Sequence, residues 1–127
     1  YAEAQFLTGD IAGAERTLAI VEEWATENIA TLLLAQIRLV RGRIFAHQSD
    51  WQRAASAFRG AREMAVAMPF PHLAADISYH RGKALQSEGR FAAARESLEE
   101  SRKEFERLGA GPFAQRSAEA LASLDQR

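Results

Sequence analysis

Residues 49–58 read SDWQRAASAF, and the same template occurs earlier as GDIAGAERTL at 9–18 and later as GRFAAARESL at 89–98. In each copy a large apolar residue, a small one and a second large one keep their offsets: Ile11, Ala14 and Leu18; Trp51, Ala54 and Phe58; Phe91, Ala94 and Leu98. Steps of three and four residues put each trio on one helical stripe. The copies follow each other at a constant period of about 40 residues, and such self-similarity indicates an array of stacked helical units.

The composition is typical of a globular helical protein. The 127 residues are 47% apolar and 26% charged, and they include three prolines and no cysteine. Without cysteine there are no disulfides, thiolate nucleophiles or cysteine-bound metals. No apolar run approaches the roughly 20 residues that span a bilayer. We therefore predict an all-α protein without a membrane segment, located in the cytoplasm. Because the sequence opens with Tyr1 and not Met, we expect it to be an excerpt of a longer protein.

The turn and capping residues between the periodic segments predict one domain, residues 1–127, built of helix pairs. The repeats cover about 1–28 (truncated at its start), 29–68 and 69–108, and a C-terminal capping helix covers 112–125. Asp10 and Asp50 are suited to accept hydrogen bonds at a helix start, and Pro71 and Pro112 suit a first turn. Helices are expected near 2–8, 10–27, 29–48, 50–67, 71–88, 90–108 and 112–125.

Two glycines occupy matching positions one repeat apart, Gly42 and Gly82. A glycine within a helix costs about 1 kcal/mol relative to alanine. A pair of them in register therefore predicts that a neighbouring helix approaches closely at both places. Trp51 and Phe91 hold equivalent positions in the template, and we assign both to packing.

This pattern resembles the tetratricopeptide repeat, a family of right-handed solenoids of antiparallel helix pairs. The typical unit of that family has about 34 residues, whereas the period here is longer, at about 40 residues. The residues that carry the resemblance are Gly42, Phe45, Trp51, Ala54, Phe58 and Ala61, and then Gly82, Leu85, Phe91, Ala94 and Leu98.

A narrower resemblance is to the sensor arm of MalT-like, LuxR-family bacterial transcription regulators. It rests on the Arg- and Ala-rich long units and on the phrase FERLGAGPFA at 105–114. It implies a receptor arm for a small inducer or a protein.

The tetratricopeptide resemblance also implies a binding surface, because in that family the first helix of each pair lines the concave side. Arg43 and Lys83 are equivalent positions of successive repeats, as are Leu39 and Tyr79. Two cations, an aromatic ring and several amides would suit a carboxylate-bearing peptide or a small anionic effector. The alternative is that these side chains are only the exposed stripe of each helix. The positions are Gln36, Leu39, Arg43, Ala46 and His47, and then Asp76, Tyr79, Lys83, Gln86 and Ser87.

No constellation for catalysis is found in the sequence. It has no phosphate-binding loop, no dinucleotide turn and no His-Glu-x-x-His motif. His72 and His80 lie slightly over two helical turns apart, too far to share a metal within one helix without other ligands. Each histidine is therefore interpreted as a chance occurrence without a metal-binding role. We expect no enzymatic activity, no cofactor and no metal.

Charge is distributed unevenly along the chain. Residues 1–28 contain six acids and one base, whereas residues 29–68 contain six bases and two acids. The arginines of the basic segment are spread around two helices, and the whole chain has a net charge of −1. Direct binding of nucleic acid needs clustered positive charge and a reading element, so we do not expect it.

The sequence thus favours a non-catalytic domain that binds a protein, a peptide or an effector, within a bacterial signalling or transcriptional regulator. A free-standing scaffold and an accessory repeat domain of a larger enzyme are the alternatives. The truncated first repeat also predicts a homodimer formed through the N-terminal edge.

Overall fold

A computed structural model describes residues 11–125, with the backbone alone at positions 11, 21 and 25–27. Helices occupy nearly all of this part of the chain, and no strand occurs in it, which confirms the predicted all-α class. The helix predicted over 2–8 lies outside the described residues. In the described part, no helix combines the length and the apolar character needed to cross a membrane. The helices are α1, Ile11–His47; α2, Trp51–Ala67; α3, Pro71–Glu88; α4, Phe91–Arg107; and α5, Gly111–Asp125.

The break predicted at Glu27-Asn28 is wrong, because α1 continues through it for 37 residues. Neither residue is a glycine or a proline, so nothing in the backbone forces the helix to end there. The side-chain Nδ2 of Asn28 instead donates a hydrogen bond to the Trp24 carbonyl, four residues earlier, at 2.9 Å. The chain divides into two compact units, Tyr1–Leu33 and Leu34–Arg127.

The remaining boundaries agree with the sequence to within one residue, since α2 to α5 were expected at 50–67, 71–88, 90–108 and 112–125. The Asp50 carboxylate accepts a hydrogen bond from the Arg53 N–H at 3.4 Å, which confirms its predicted capping role. Pro71 opens α3, at the position where a missing N–H has no cost.

Four turns in the second unit close in the same way, and they are evenly spaced at half the repeat period. In each, an N–H donates to the carbonyl five residues before it, which is the longer bond of a Schellman motif. Three of the turns contain a residue in the left-handed region, namely Ser49, Gly89 and Gly109. The fourth contains Pro69, which follows a cis peptide bond. The bonds join Asp50 to Phe45, Phe70 to Ala65, Arg90 to Leu85 and Ala110 to Phe105, at 2.6 to 2.9 Å.

Both in-register glycines lie where a second helix presses against their own. A Cβ atom on Gly42 would lie 2.8 Å from the ring of Phe58 in α2, and one on Gly82 would lie 2.6 Å from the side chain of Leu98 in α4. Real Cβ atoms do not approach other atoms this closely. The predicted close approach is therefore confirmed at both positions.

The core of the second unit is formed by consecutive helices packing together. Phe58 and Ile77 are buried in one cluster with the alanines of α2, and Leu98 packs with the last turns of α5 in another. Ser101 on α4 and Ser117 on α5 are both fully buried, and their hydroxyls are hydrogen-bonded to each other at 2.9 Å. This pair explains why a buried serine is tolerated at position 101, where the preceding repeat has the buried Ala61.

Candidate binding groove

A cavity of about 210 Å³ lies between α1 and α3 in the second unit. Its titratable lining side chains, Arg43, His47, His80 and Lys83, are all basic. Arg43, His47 and Lys83 are three of the residues predicted to face a ligand, and the structure brings them together. The remaining lining residues are Ala46, Phe58, Ala84 and Ser87. We call this cavity the basic groove.

The helix packing positions the two cations. Arg43 and Lys83 each follow one of the glycines at which helices pack closely, Gly42 and Gly82. Both cationic side chains are on exposed residues. Ala46 and Ala84 add only small side chains to the lining, which leaves room between the cations.

The pKa of His80, which lines the groove, differs from its ordinary value. Burial lowers the pKa of His80 below its ordinary value of 6.5, because the charged imidazolium is poorly solvated. The Asp76 carboxylate, 3.6 Å from Nε2 of His80, opposes this effect, whereas Arg43 and Arg116 reinforce it. The lowered pKa favours the neutral imidazole, and negative charge brought nearby would raise that pKa.

Asp76 and Tyr79, which were also predicted to face the ligand, contact α5 instead of standing open. Arg116 of α5 donates from Nη2 to Oδ1 of Asp76 at 2.7 Å. The guanidinium carbon of Arg116 also lies 3.8 Å from the centroid of the Tyr79 ring, which is a cation–π arrangement. The capping helix thus occupies this side of α3.

Of the other predicted positions, Ala46 and Ser87 line the basic groove, whereas Gln36, Leu39 and Gln86 do not. Leu39 is 7% exposed and belongs to the core cluster of Phe58 and Ile77. Gln36 is exposed. Oε1 of Gln86 is buried and has no hydrogen-bond partner among the described residues. The predicted set of ten therefore divides into a groove-lining group, a group against α5, and isolated positions.

Sequence reasoning missed His80 and Arg116. The interpretation of His80 as a chance histidine overlooks its position, one helical turn after Asp76 and three residues before Lys83, which places it on the same side of α3. Arg116 lies 40 residues, one repeat period, after Asp76 and has the opposite charge, and this register is the signal that could have identified it.

Trp51 and Phe91, to which a packing role was assigned, lie outside the buried core. Phe91 is 40% exposed. Trp51 is half-buried and lines a second cavity, of about 450 Å³, together with Arg59, Arg81 and Arg90. In the second and third copies of the template, the second large residue, Phe58 or Leu98, fills the core.

Within residues 11–125, no three histidine or carboxylate side chains come together to hold a metal ion. Comparisons with models of protein families, with curated proteins and with solved structures found no match to this chain. The tetratricopeptide resemblance therefore rests on the sequence residues that carry it.

Proposed function

We propose that this chain is a tetratricopeptide-like binding domain whose basic groove holds a carboxylate group of a peptide or of a small anionic effector. The observation that carries the proposal is the convergence of Arg43, His47, His80 and Lys83 on one cavity. Cations that are placed together without an acidic neighbour in the lining attract an anion and fix its position by charge-assisted hydrogen bonds.

The repeat character that the proposal assumes is supported by the shared turn geometry. Turns closed by the same hydrogen bond at every half period agree with a helix pair as the repeating unit. The two glycine contacts, which lie one full period apart, agree with the same unit. A right-handed solenoid is the arrangement that the family resemblance implies for such pairs.

The groove is suited to binding and not to catalysis. The pKa of His80 is lowered by burial, and the carboxylate beside it, Asp76, is held by Arg116. A general base and a nucleophile in mutual reach are what acid–base or covalent catalysis requires. We therefore assign the groove a non-catalytic role, within a cytoplasmic bacterial regulator of the MalT-like type.

Protonation of His80 should be linked to ligand binding. A carboxylate in the groove would offset the effect of burial and raise the pKa of His80. Affinity for an anionic ligand should then rise as the pH falls through the range in which His80 titrates, because the bound state takes up a proton.

Fluorescence anisotropy can test the proposal with a labelled acidic peptide that ends in a free carboxylate, compared with its amidated neutral counterpart. We expect Arg43→Glu or Lys83→Glu to weaken binding of the acidic peptide by about tenfold or more, since a hydrogen bond to a charged group contributes about 1.5–3 kcal/mol. Lys103→Glu reverses the charge of an exposed lysine on α4, outside the groove, and is the matched control. Equal losses in all three variants would show a non-specific charge effect and would contradict the proposal.

The regulator, the scaffold and the accessory domain of an enzyme differ in the other domains or partners that accompany this one. A DNA-binding helix-turn-helix in the same polypeptide would favour the regulator, and a catalytic module would favour an accessory domain of an enzyme. A scaffold would instead bind two proteins at once, which co-sedimentation with both of them would detect.

A further inference from the structure

The helix α1 exposes large apolar side chains over residues 34–47 of the second unit. Leu34 and Ile37 are 40% and 47% exposed, and Val40 and Ile44 are exposed on adjoining turns. We call these four residues the open face. Isolated apolar side chains at a surface are ordinary, but a contiguous row along one helix indicates an interaction surface.

The next repeat shows what covers such a face. The counterparts of Leu34 and Ile37 one repeat later are Ala74 and Ile77, which are buried, Ile77 completely. Both belong to the cluster that contains Phe58, Ala61 and Ala65 of α2. In that repeat, therefore, the helix carrying the SDWQRAASAF template covers the positions equivalent to Leu34 and Ile37.

The matching cover for the open face would be a helix carrying the first copy of the template, residues 9–18. Its Leu18 is the counterpart of Phe58. Phe58 is 2% exposed, whereas Leu18 is 58% exposed. Leu18 and the open face are thus both exposed to solvent, although their counterparts one repeat later pack together.

The charges of the two halves are complementary. Residues 11–28 contain Glu15, Glu22, Glu23 and Glu27 with a single Arg16, whereas residues 34–48 contain Arg38, Arg41 and Arg43 and no acid. Opposite charges at an interface speed association and favour the matched partner over like-charged ones. An acidic helix is therefore the occupant that suits the surroundings of the open face.

We propose that the open face is covered by residues 11–28 of a second copy of this chain, which packs there as α2 packs on α3. The contact is reciprocal, because each copy offers one open face and one acidic helix, so the dimer has twofold symmetry and two identical contacts. Exchange of an equivalent element between protomers is a low-cost route to a dimer.

Sedimentation equilibrium over a concentration series tests the proposal, with Leu18→Glu and Ile37→Glu as the variants. Each substitution breaks both contacts of a dimer of identical chains, so we expect each to weaken dimerisation by at least about 100-fold. Both positions are exposed, and circular dichroism verifies that the helices are intact. Ile20→Glu, an exposed residue two positions from Leu18 and off the template stripe, is the control and should dimerise like the parent.

A mixture of the two variants gives the sharpest result. A heterodimer of Leu18→Glu with Ile37→Glu retains one contact between two unaltered residues, so the mixture should dimerise more strongly than either variant alone. A monomeric parent chain would overturn the proposal. So would a Leu18→Glu variant that dimerises normally, because face-to-face pairing of two open faces does not use Leu18.

Discussion

At the residue scale, the turns show how one backbone geometry can be met by different residues. Ser49, Gly89 and Gly109 occupy corresponding positions with φ values of 60°, 90° and 71°. Glycine adopts this region freely, whereas a residue with a Cβ pays roughly 1–2 kcal/mol. Ser49 therefore retains backbone strain that the two later turns avoid.

We predict that Ser49→Gly raises the free energy of unfolding by about 0.5–1 kcal/mol, since removal of the left-handed strain exceeds the extra entropy that glycine gives the unfolded chain. The reverse change, Gly89→Ser, should lower it by a similar amount. Nothing lies within 4 Å of a Cβ built at Gly89, so the effect there is conformational and not steric. Urea denaturation measures both variants, and destabilisation by Ser49→Gly would contradict this account.

The sequence predicts only some of the groups that surround His80. Spacing along α3 places His80 on the same side as Asp76 and Lys83. Its lowered pKa depends on burial and on two arginines, Arg43 and Arg116, from other helices. Such tertiary neighbours are not encoded in any local pattern.

At the element scale, glycine, proline and one capping residue decided which helix boundaries could be predicted. The boundaries at 68–70, 88–90 and 108–110 contain a proline or a glycine, the boundary at 48–50 contains the N-cap Asp50, and all were predicted to within one residue. Glu27-Asn28 has no such residue, and the helix continues. The dip in apolar periodicity at that point suggests a turn, but polarity alone does not end a helix.

Helix packing at the two glycines gives a prediction with an internal control. Gly82→Ala improves helix propensity but drives a methyl group against Leu98, and overpacking of this kind costs about 1–3 kcal/mol. We expect a net loss of stability. Gly60 also lies within a helix, but the nearest atom to its Cβ would be the flexible Arg38 guanidinium at 3.4 Å. Gly60→Ala should therefore gain up to about 1 kcal/mol.

Thermal and urea unfolding distinguish the two glycine sites directly. Opposite signs for Gly82→Ala and Gly60→Ala would support the close approach of α3 and α4. If both alanines stabilised the chain, the contact with Leu98 would have to be looser than the structure has it.

At the scale of the whole molecule, acid should destabilise the fold through His80. Its folded pKa lies below 6.5, so in this region the unfolded chain binds more protons than the folded one. The free energy of unfolding should then fall as the pH drops from about 7.5 to 5.5, a window in which most carboxylates keep their charge.

His80→Gln should flatten this pH dependence, because glutamine does not titrate. Urea unfolding at a series of pH values measures the slope, and NMR of the imidazole protons measures the pKa of His80 directly. The attribution fails if the His80 resonances titrate at or above 6.5.

The helical class and the positions of most helices followed from periodicity and turn residues, and the two glycine contacts followed from their register. The residues of the candidate groove were predicted less completely from the sequence. Arg43, His47 and Lys83 meet as expected, but Asp76 and Tyr79 are taken up by Arg116 of the capping helix. A repeat pattern describes what equivalent helices share, whereas α5, one period after α3, carries Arg116 where α3 carries Asp76, so this contact could not be read from the shared residues.

The evenly spaced turns of the second unit are each closed by a hydrogen bond that lies wholly within the turn. A stretch of codons that covers one full period and starts at one of these turns therefore encodes its own helix start, helix stop and connection. Unequal recombination between two such stretches leaves every junction chemically intact. Genes for proteins of this kind can lengthen or shorten in whole units, and natural variants should differ in unit number more readily than in unit length.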